Sequence, residues 1–162
     1  MSENQVKFIE CFYEKDTIDY DGIEKLVKDG YTPKQIVSNI ISSMANIYYV
    51  DIMSSLRFVK FLVENGLDIN EPHFNPNKYS YYSFVCICII YGDLEVIEYI
   101  LGLGAEINKL IQGPGINLCV FAPVHLVNYS IGDKDAIFSL LEKYNADFTL
   151  EDSFGETAKN NK

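Results

Sequence analysis

The chain has 162 residues, 48% of them hydrophobic, and a formal charge of −10 from 13 Lys and Arg against 23 Asp and Glu. That length suits one domain or one short repeat array, with enough apolar residues to bury a continuous core. The acidic balance argues against nucleic acid as a partner, because a phosphate backbone demands a positive surface, and favours a basic protein instead.

From the N-terminus, Met1 to Glu10 holds no basic stretch followed by a long apolar run, so neither a signal peptide nor a membrane anchor is expected. No window reaches the roughly 18 consecutive apolar residues of a membrane span. A helix is expected over Gln5 to Glu14, with Val6, Ile9, Phe12 and Tyr13 apolar. Four later segments then end in the same way: Leu26 to Tyr31, Leu62 to Asn70, Ile100 to Asn108 and Leu140 to Thr149. Each carries a pair of apolar residues, a polar or flexible turn, and Gly or Asn where a left-handed helix cap requires it. The marker positions Gly30, Gly66, Gly104 and Asn145 lie 36, 38 and 41 residues apart.

Helical spacing places Leu56, Val59, Leu62 and Val63 on one face, then Leu94, Val96, Ile97, Ile100 and Leu101, then Ala136, Ile137, Leu140 and Leu141. Ahead of these come helices that are apolar nearly all round, at Pro33 to about Met44, Phe84 to about Tyr91 and Pro123 to about Tyr129, which should be buried between neighbours.

The stretch Ala122-Pro123-Val124-His125-Leu126 resembles the T-P-L-H-x-A of the ankyrin-repeat family, and Gly132-Asp133 and Asn145-Ala146-Asp147 follow near the expected distances. In the preceding unit Gly92-Asp93-Leu94-Glu95-Val96-Ile97 and Gly104-Ala105-Glu106-Ile107-Asn108 match the second half of a repeat, while its first half lacks the Thr, Pro and His. The observed spacing is near the family's period of about 33, with loop insertions. The resemblance implies an all-α solenoid of stacked antiparallel helix pairs with projecting loops. It divides a single domain, 1–162, into an N-terminal cap helix pair (1–30), repeats at 31–70, 79–108 and 121–149, and a truncated repeat or tail at 150–162. It also implies protein binding and no catalysis, with His125 hydrogen-bonding backbone groups of adjacent repeats.

The side chains that could carry chemistry read as structural. Cys86 and Cys88 are two apart, face different directions on a helix and are expected in the core; the four cysteines have no disulfide or metal spacing, which suits a reducing, cytoplasmic setting. His73 sits in a loop without a second ligand at a recognisable spacing. Gly113-Pro114-Gly115 lacks the Lys of a phosphate loop, and the three-residue spacing of Glu95 and Glu98 fits a solvated helix face. No catalytic residue, cofactor or metal is therefore expected.

Loops carry function more often than cores, and Glu71 to Tyr82 is unusually aromatic for a loop. Phe74, Tyr79, Tyr81 and Tyr82 are expected to contact a partner, together with Glu71, Asp93 and Glu95, and with Ile111 and Gln112 of a second insert, Lys109 to Phe121. Residues 61 to 108 hold seven acids against one base, Lys78, a net −6. The expected partner is a basic protein, bound by a monomer without nucleic acid or membrane; a small acidic immunity-type inhibitor of a bacterial toxin domain fits that description. The alternatives are an effector or adaptor that engages a host or regulatory protein and, less favoured, an enzyme or metal-binding protein.

Overall fold

The computed structural model describes residues 3–13, 18–42, 52–76, 80–91, 93–112 and 120–160. Most of them are helical. The elements are α1 (Glu3–Tyr13), α2 (Tyr20–Lys28), α3 (Pro33–Ser42), α4 (Leu56–Glu64), β1 (His73–Asn75), β2 (Ser80–Tyr82), α5 (Phe84–Tyr91), α6 (Leu94–Gly102), a 3-10 helix (Pro123–Tyr129) and α7 (Lys134–Lys143).

Helix starts follow from short polar side chains that satisfy otherwise orphaned backbone donors. Asp19 accepts from Gly22 N, Ser55 from Phe58 N, Asp93 from Val96 N and Asp133 from Ala136 N, at 3.0 to 3.3 Å. Helix ends follow from the four marker residues. Gly30, Gly66, Gly104 and Asn145 have φ of 95°, 91°, 89° and 61°. At each, the next residue donates back across the turn: Tyr31 to Leu26, Leu67 to Leu62, Ala105 to Ile100 and Ala146 to Leu141, at 2.9 to 3.3 Å. The marker residues themselves donate three residues back, to Val27, Val63, Leu101 and Glu142 at 3.0 to 3.1 Å, and this two-bond closure needs a left-handed residue, as the sequence pattern required.

Substituting Gly104 by alanine should therefore cost about 1–2 kcal/mol even though a Cβ there meets nothing within 4 Å. Gly102 lies inside α6, where a Cβ likewise meets nothing within 4 Å. Its alanine variant should gain about 0.5–1 kcal/mol, because glycine is a poor helix former. Opposite shifts of the urea midpoint would separate a conformational from a steric effect.

The same bonds recur between successive turns. Asn70 donates to Gly104 O and accepts from Glu106 N, and Asn108 donates to Asn145 O and accepts from Asp147 N, at 2.8 to 3.3 Å. Val85 N donates to Ile69 O and Val124 N to Ile107 O. In packing, α1 lies on α2, α4 on α6, α5 on α6 and on the 3-10 helix, and α7 on the 3-10 helix and α6. The centre is α5, whose residues Phe84 to Ile90 are all buried.

Four expectations change. The segment Pro123–Tyr129 is 3-10 rather than α: His125 N donates to Ala122 O at 2.9 Å and Ser130 N to Val127 O at 3.0 Å, each three residues back, which is the tighter winding. The expected loop Glu71 to Tyr82 contains an antiparallel hairpin, with His73 opposite Tyr82, Phe74 opposite Tyr81 and Asn75 opposite Ser80. Further isolated pairings join Ile111 to Phe121 and Glu151 to Thr157, so the chain is mainly rather than wholly helical. Helix α1 buries Phe8 and Cys11 while Val6 is exposed, and the side chains of Phe12 and Tyr13 lie outside the described residues. Leu94 is exposed at the start of α6, and Ala136 and Leu140 are half-buried, so the core stripes are narrower than drawn.

Candidate partner-binding cleft

Hairpin, helix ends and C-terminal turn meet around a cleft of about 720 Å³. Strand β2 contributes Ser80 and Tyr82, the end of α5 Ile90 and Tyr91, and the 3-10 helix His125, Leu126 and Tyr129; Phe121, Ile131 and residues of the turn 152–156 complete it. Ile131 N donates to Ile90 O at 3.0 Å, which joins the ends of α5 and the 3-10 helix.

His125 ties the turn in place. Its Nδ1 accepts from Ala122 N at 2.9 Å, which leaves the proton on Nε2 to be donated to Leu150 O, also at 2.9 Å. Asn128 Nδ2 donates to Ala158 O at 2.7 Å, and Ser153 N donates to Val120 O at 2.9 Å. Within the turn, Asp152 Oδ1 accepts from Phe154 N and Glu156 N at 2.8 and 3.0 Å, and Gly155 takes φ 74°. The turn thereby carries Phe154 at its tip, 73% exposed, near the level of exposure of Tyr129 at 66% and Ile131 at 58%. A cleft lined by aromatic and aliphatic side chains with few polar groups has the general character of a binding site. Among the described residues its charged side chains are Asp152 and Glu156, and no Lys or Arg lines it. Burial raises the Tyr91 phenol above its ordinary range, so that hydroxyl stays protonated at neutral pH.

Of the residues expected at a partner surface, Tyr82 lines this cleft, its ring 5.2 Å from that of Phe121. Phe74 and Tyr81 form a cross-strand aromatic pair, 5.5 Å apart, with Phe74 exposed, and neither lines the cleft. Glu71 is paired with Lys34, Asp93 caps α6, and Glu95 is exposed in the first turn of that helix. Gln112 is exposed. Ile111 is 8% exposed, its backbone pairs with Phe121, and it does not line the cleft. Tyr79, Lys78 and Gly113-Pro114-Gly115 lie outside the described residues.

The acidic stretch 61–108 is partly answered from within the chain. Glu71 pairs with Lys34, Glu98 with Lys143 at 2.8 Å and Glu106 with Lys109 at 2.6 Å. Such exposed pairs add little stability, yet they reduce the field available to a partner. The cleft carboxylates make no ion pair among the described residues. Sequence reasoning missed Tyr91, Tyr129, Asp152, Phe154 and Glu156. A signal existed: Tyr91 and Tyr129 each close an apolar helix with a ring that has a polar tip.

His73 belongs to strand β1 rather than to a loop. It is 4% exposed, its Nδ1 pairs with Ser38 Oγ at 2.8 Å, and its Nε2 has no partner among the described residues. Burial, the largest influence, lowers its pKa from the ordinary 6.5, while Glu71 opposes the shift and Lys34 reinforces it. The unfolded chain therefore takes up this proton first as pH falls. Stability should decline from about pH 6.5 down to the folded-state pKa and change no further through this group below it. With two histidines in the chain, NMR titration of the imidazoles can resolve His73 directly, and its midpoint should fall below 6.5. His73→Gln should flatten the corresponding part of the stability profile; an unchanged slope would assign the acid sensitivity elsewhere.

Cys86 and Cys88 are buried in α5 as expected, and burial pushes the Cys86 thiol up to about 11 and Cys88 well above its ordinary value. Both stay protonated thiols at neutral pH. Among the described residues, no group of three or more His, Cys, Asp or Glu is placed to hold a metal, and no helix is long and apolar enough to cross a membrane. No protein-family model matches the chain, and no curated protein sequence matches it.

Proposed function

We propose that this chain is a non-enzymatic protein-binding module of the ankyrin type, an array of stacked helix pairs that holds a basic segment of a protein partner in its hairpin-lined cleft. The cleft carries the reading: an aromatic-rich hollow whose charged side chains are two carboxylates matches an apolar, positively charged segment in both shape and sign. The ankyrin assignment is supported by the recurring left-handed caps, the paired Asn70 and Asn108 bridges and the two backbone bonds of His125. A net charge of −10 fits a small cytoplasmic inhibitor of the immunity type, which neutralises a basic bacterial toxin domain by stoichiometric binding.

Capture from the source cell with the tagged chain, washed at low and moderate salt, should retain one basic protein whose purified form binds one to one. Reversing both cleft charges, Asp152→Lys with Glu156→Lys, should weaken that complex by about 10–100-fold. Reversing Glu64 and Glu95, exposed and outside the cleft, should change it by less than about 3-fold, mainly through the association rate. An acidic partner, or equal loss from both pairs of reversals, would remove the cleft from the interface.

A further inference from the structure

We propose that the cleft recognises a guanidinium: an arginine side chain on the partner's basic segment enters among its rings and is met by the carboxylates of Asp152 and Glu156. This names the chemistry recognised at the protein-binding site and rests on that reading.

Four features of the cleft converge on this ligand. Among the described residues its charge is acidic, with Asp152 and Glu156 the charged side chains that line it. The backbone N–H groups of Phe154 and Glu156 fix Asp152 through Oδ1, so its second oxygen is held in a set position for an incoming donor. The rings of Tyr129 and Phe154 come from different elements and are 66% and 73% exposed. Neither gains much from packing within the chain, so each keeps a face for a ligand. Finally, Ser80 lines the cleft while 4% exposed, and its Oγ has no hydrogen-bond partner among the described residues. A buried hydroxyl without a partner is costly, and a ligand N–H would satisfy it.

A guanidinium answers all four features at once. It is planar and weakly hydrated, stacks on aromatic faces, and presents five N–H donors in a fork that fits carboxylates. An ammonium is a compact, strongly hydrated charge that loses more on leaving water, so lysine should be the poorer occupant. A neutral apolar side chain would fill the hollow but leave the carboxylates and Ser80 unanswered.

The test uses the full chain, labelled with 15N, and three end-blocked peptides that alternate glycine with arginine, with citrulline or with lysine. Citrulline keeps the shape and most of the donors of arginine but removes the charge. The arginine peptide should shift the backbone amides of Tyr129, Phe154 and Glu156, binding about 10-fold tighter than the citrulline peptide and about 3-fold tighter than the lysine peptide. Asp152→Asn with Glu156→Gln retains an acceptor for the turn and should cost about 10-fold in affinity for the arginine peptide, and Phe154→Ala about 5-fold. Amide spectra outside the turn should stay unchanged in these variants, which separates lost recognition from lost folding.

Equal binding of the arginine and citrulline peptides, shifts confined to other surfaces, or no shift with any peptide would each overturn the guanidinium assignment. The captured protein partner distinguishes the two levels. If it perturbs the cleft amides while arginine and citrulline bind alike, the cleft is a protein site and only the side-chain chemistry is wrong. If the captured partner leaves the cleft amides untouched, the site itself is wrong.

Discussion

His125→Ala should lower the stability of the chain by about 3 kcal/mol, a large effect for one side chain, and should release the C-terminal turn. The imidazole accepts from Ala122 N and donates to Leu150 O, and alanine leaves both backbone groups without that partner. Each buried group stripped of its partner costs about 1–3 kcal/mol. Asn128 to Ala158 and the two bonds between Ser153 and Val120 remain to hold the turn, so the effect should be local. Amide hydrogen exchange should speed up across 150–158 while α2 and α4 keep their protection. The same variant should lose partner binding, because Asp152, Phe154 and Glu156 enter the cleft on that turn. Unchanged exchange across 150–158 would show that the turn is held without His125.

The regular parts of the fold were legible because they depend on residues whose physics is nearly unconditional. Glycine or asparagine after paired apolar residues demanded left-handed caps, and Gly30, Gly66, Gly104 and Asn145 all take positive φ. An uninterrupted apolar run from Phe84 to Ile90 demanded burial on every side, and that is where α5 lies. The hairpin was hidden for a physical reason. Its inward residues, His73, Asn75 and Ser80, are polar and its outward Phe74 is apolar, which inverts the usual alternation that marks a half-buried strand. Asn75 and His73 are instead matched to polar atoms of α3, Asn75 Nδ2 to Ile41 O at 2.8 Å and His73 Nδ1 with Ser38 Oγ, while Ser80 Oγ has no partner among the described residues. Such pairing depends on contacts between residues 34 or 35 apart, which no local window contains.

The candidate site was less legible for a related reason. Composition and aromatic density drew attention to Phe74, Tyr79, Tyr81 and Tyr82, yet of the three that are described only Tyr82 lines the cleft. The rest of the site is gathered from positions spread between Ser80 and Glu156, and each carries a weak local signal. Charge was misleading in detail, because counting acids over 61–108 ignores the lysines at 34, 109 and 143 that pair with three of them. The carboxylates that line the cleft lie outside that window, in the turn the sequence marked only as an unfinished repeat.

Phe84→Ala should be more damaging than His125→Ala, at about 3–5 kcal/mol, and its consequences should spread where those of His125→Ala stay local. Phe84 is fully buried at the start of α5, and α5 packs on β2, on α6 and on the 3-10 helix. A void there removes support from neighbours on both sides in sequence, whereas His125 anchors a turn with fewer neighbours. The folded state of a domain this size is typically stable by about 5–15 kcal/mol, so the variant should populate unfolded forms without denaturant. Hydrogen exchange should accelerate together in α5, α6 and the 3-10 helix, with a lowered urea midpoint by circular dichroism. Phe84→Leu keeps much of the volume and should recover about half of the loss. Acceleration confined to α5, with α6 and the 3-10 helix still protected, would mean that the two sides of the array are stable without their central helix.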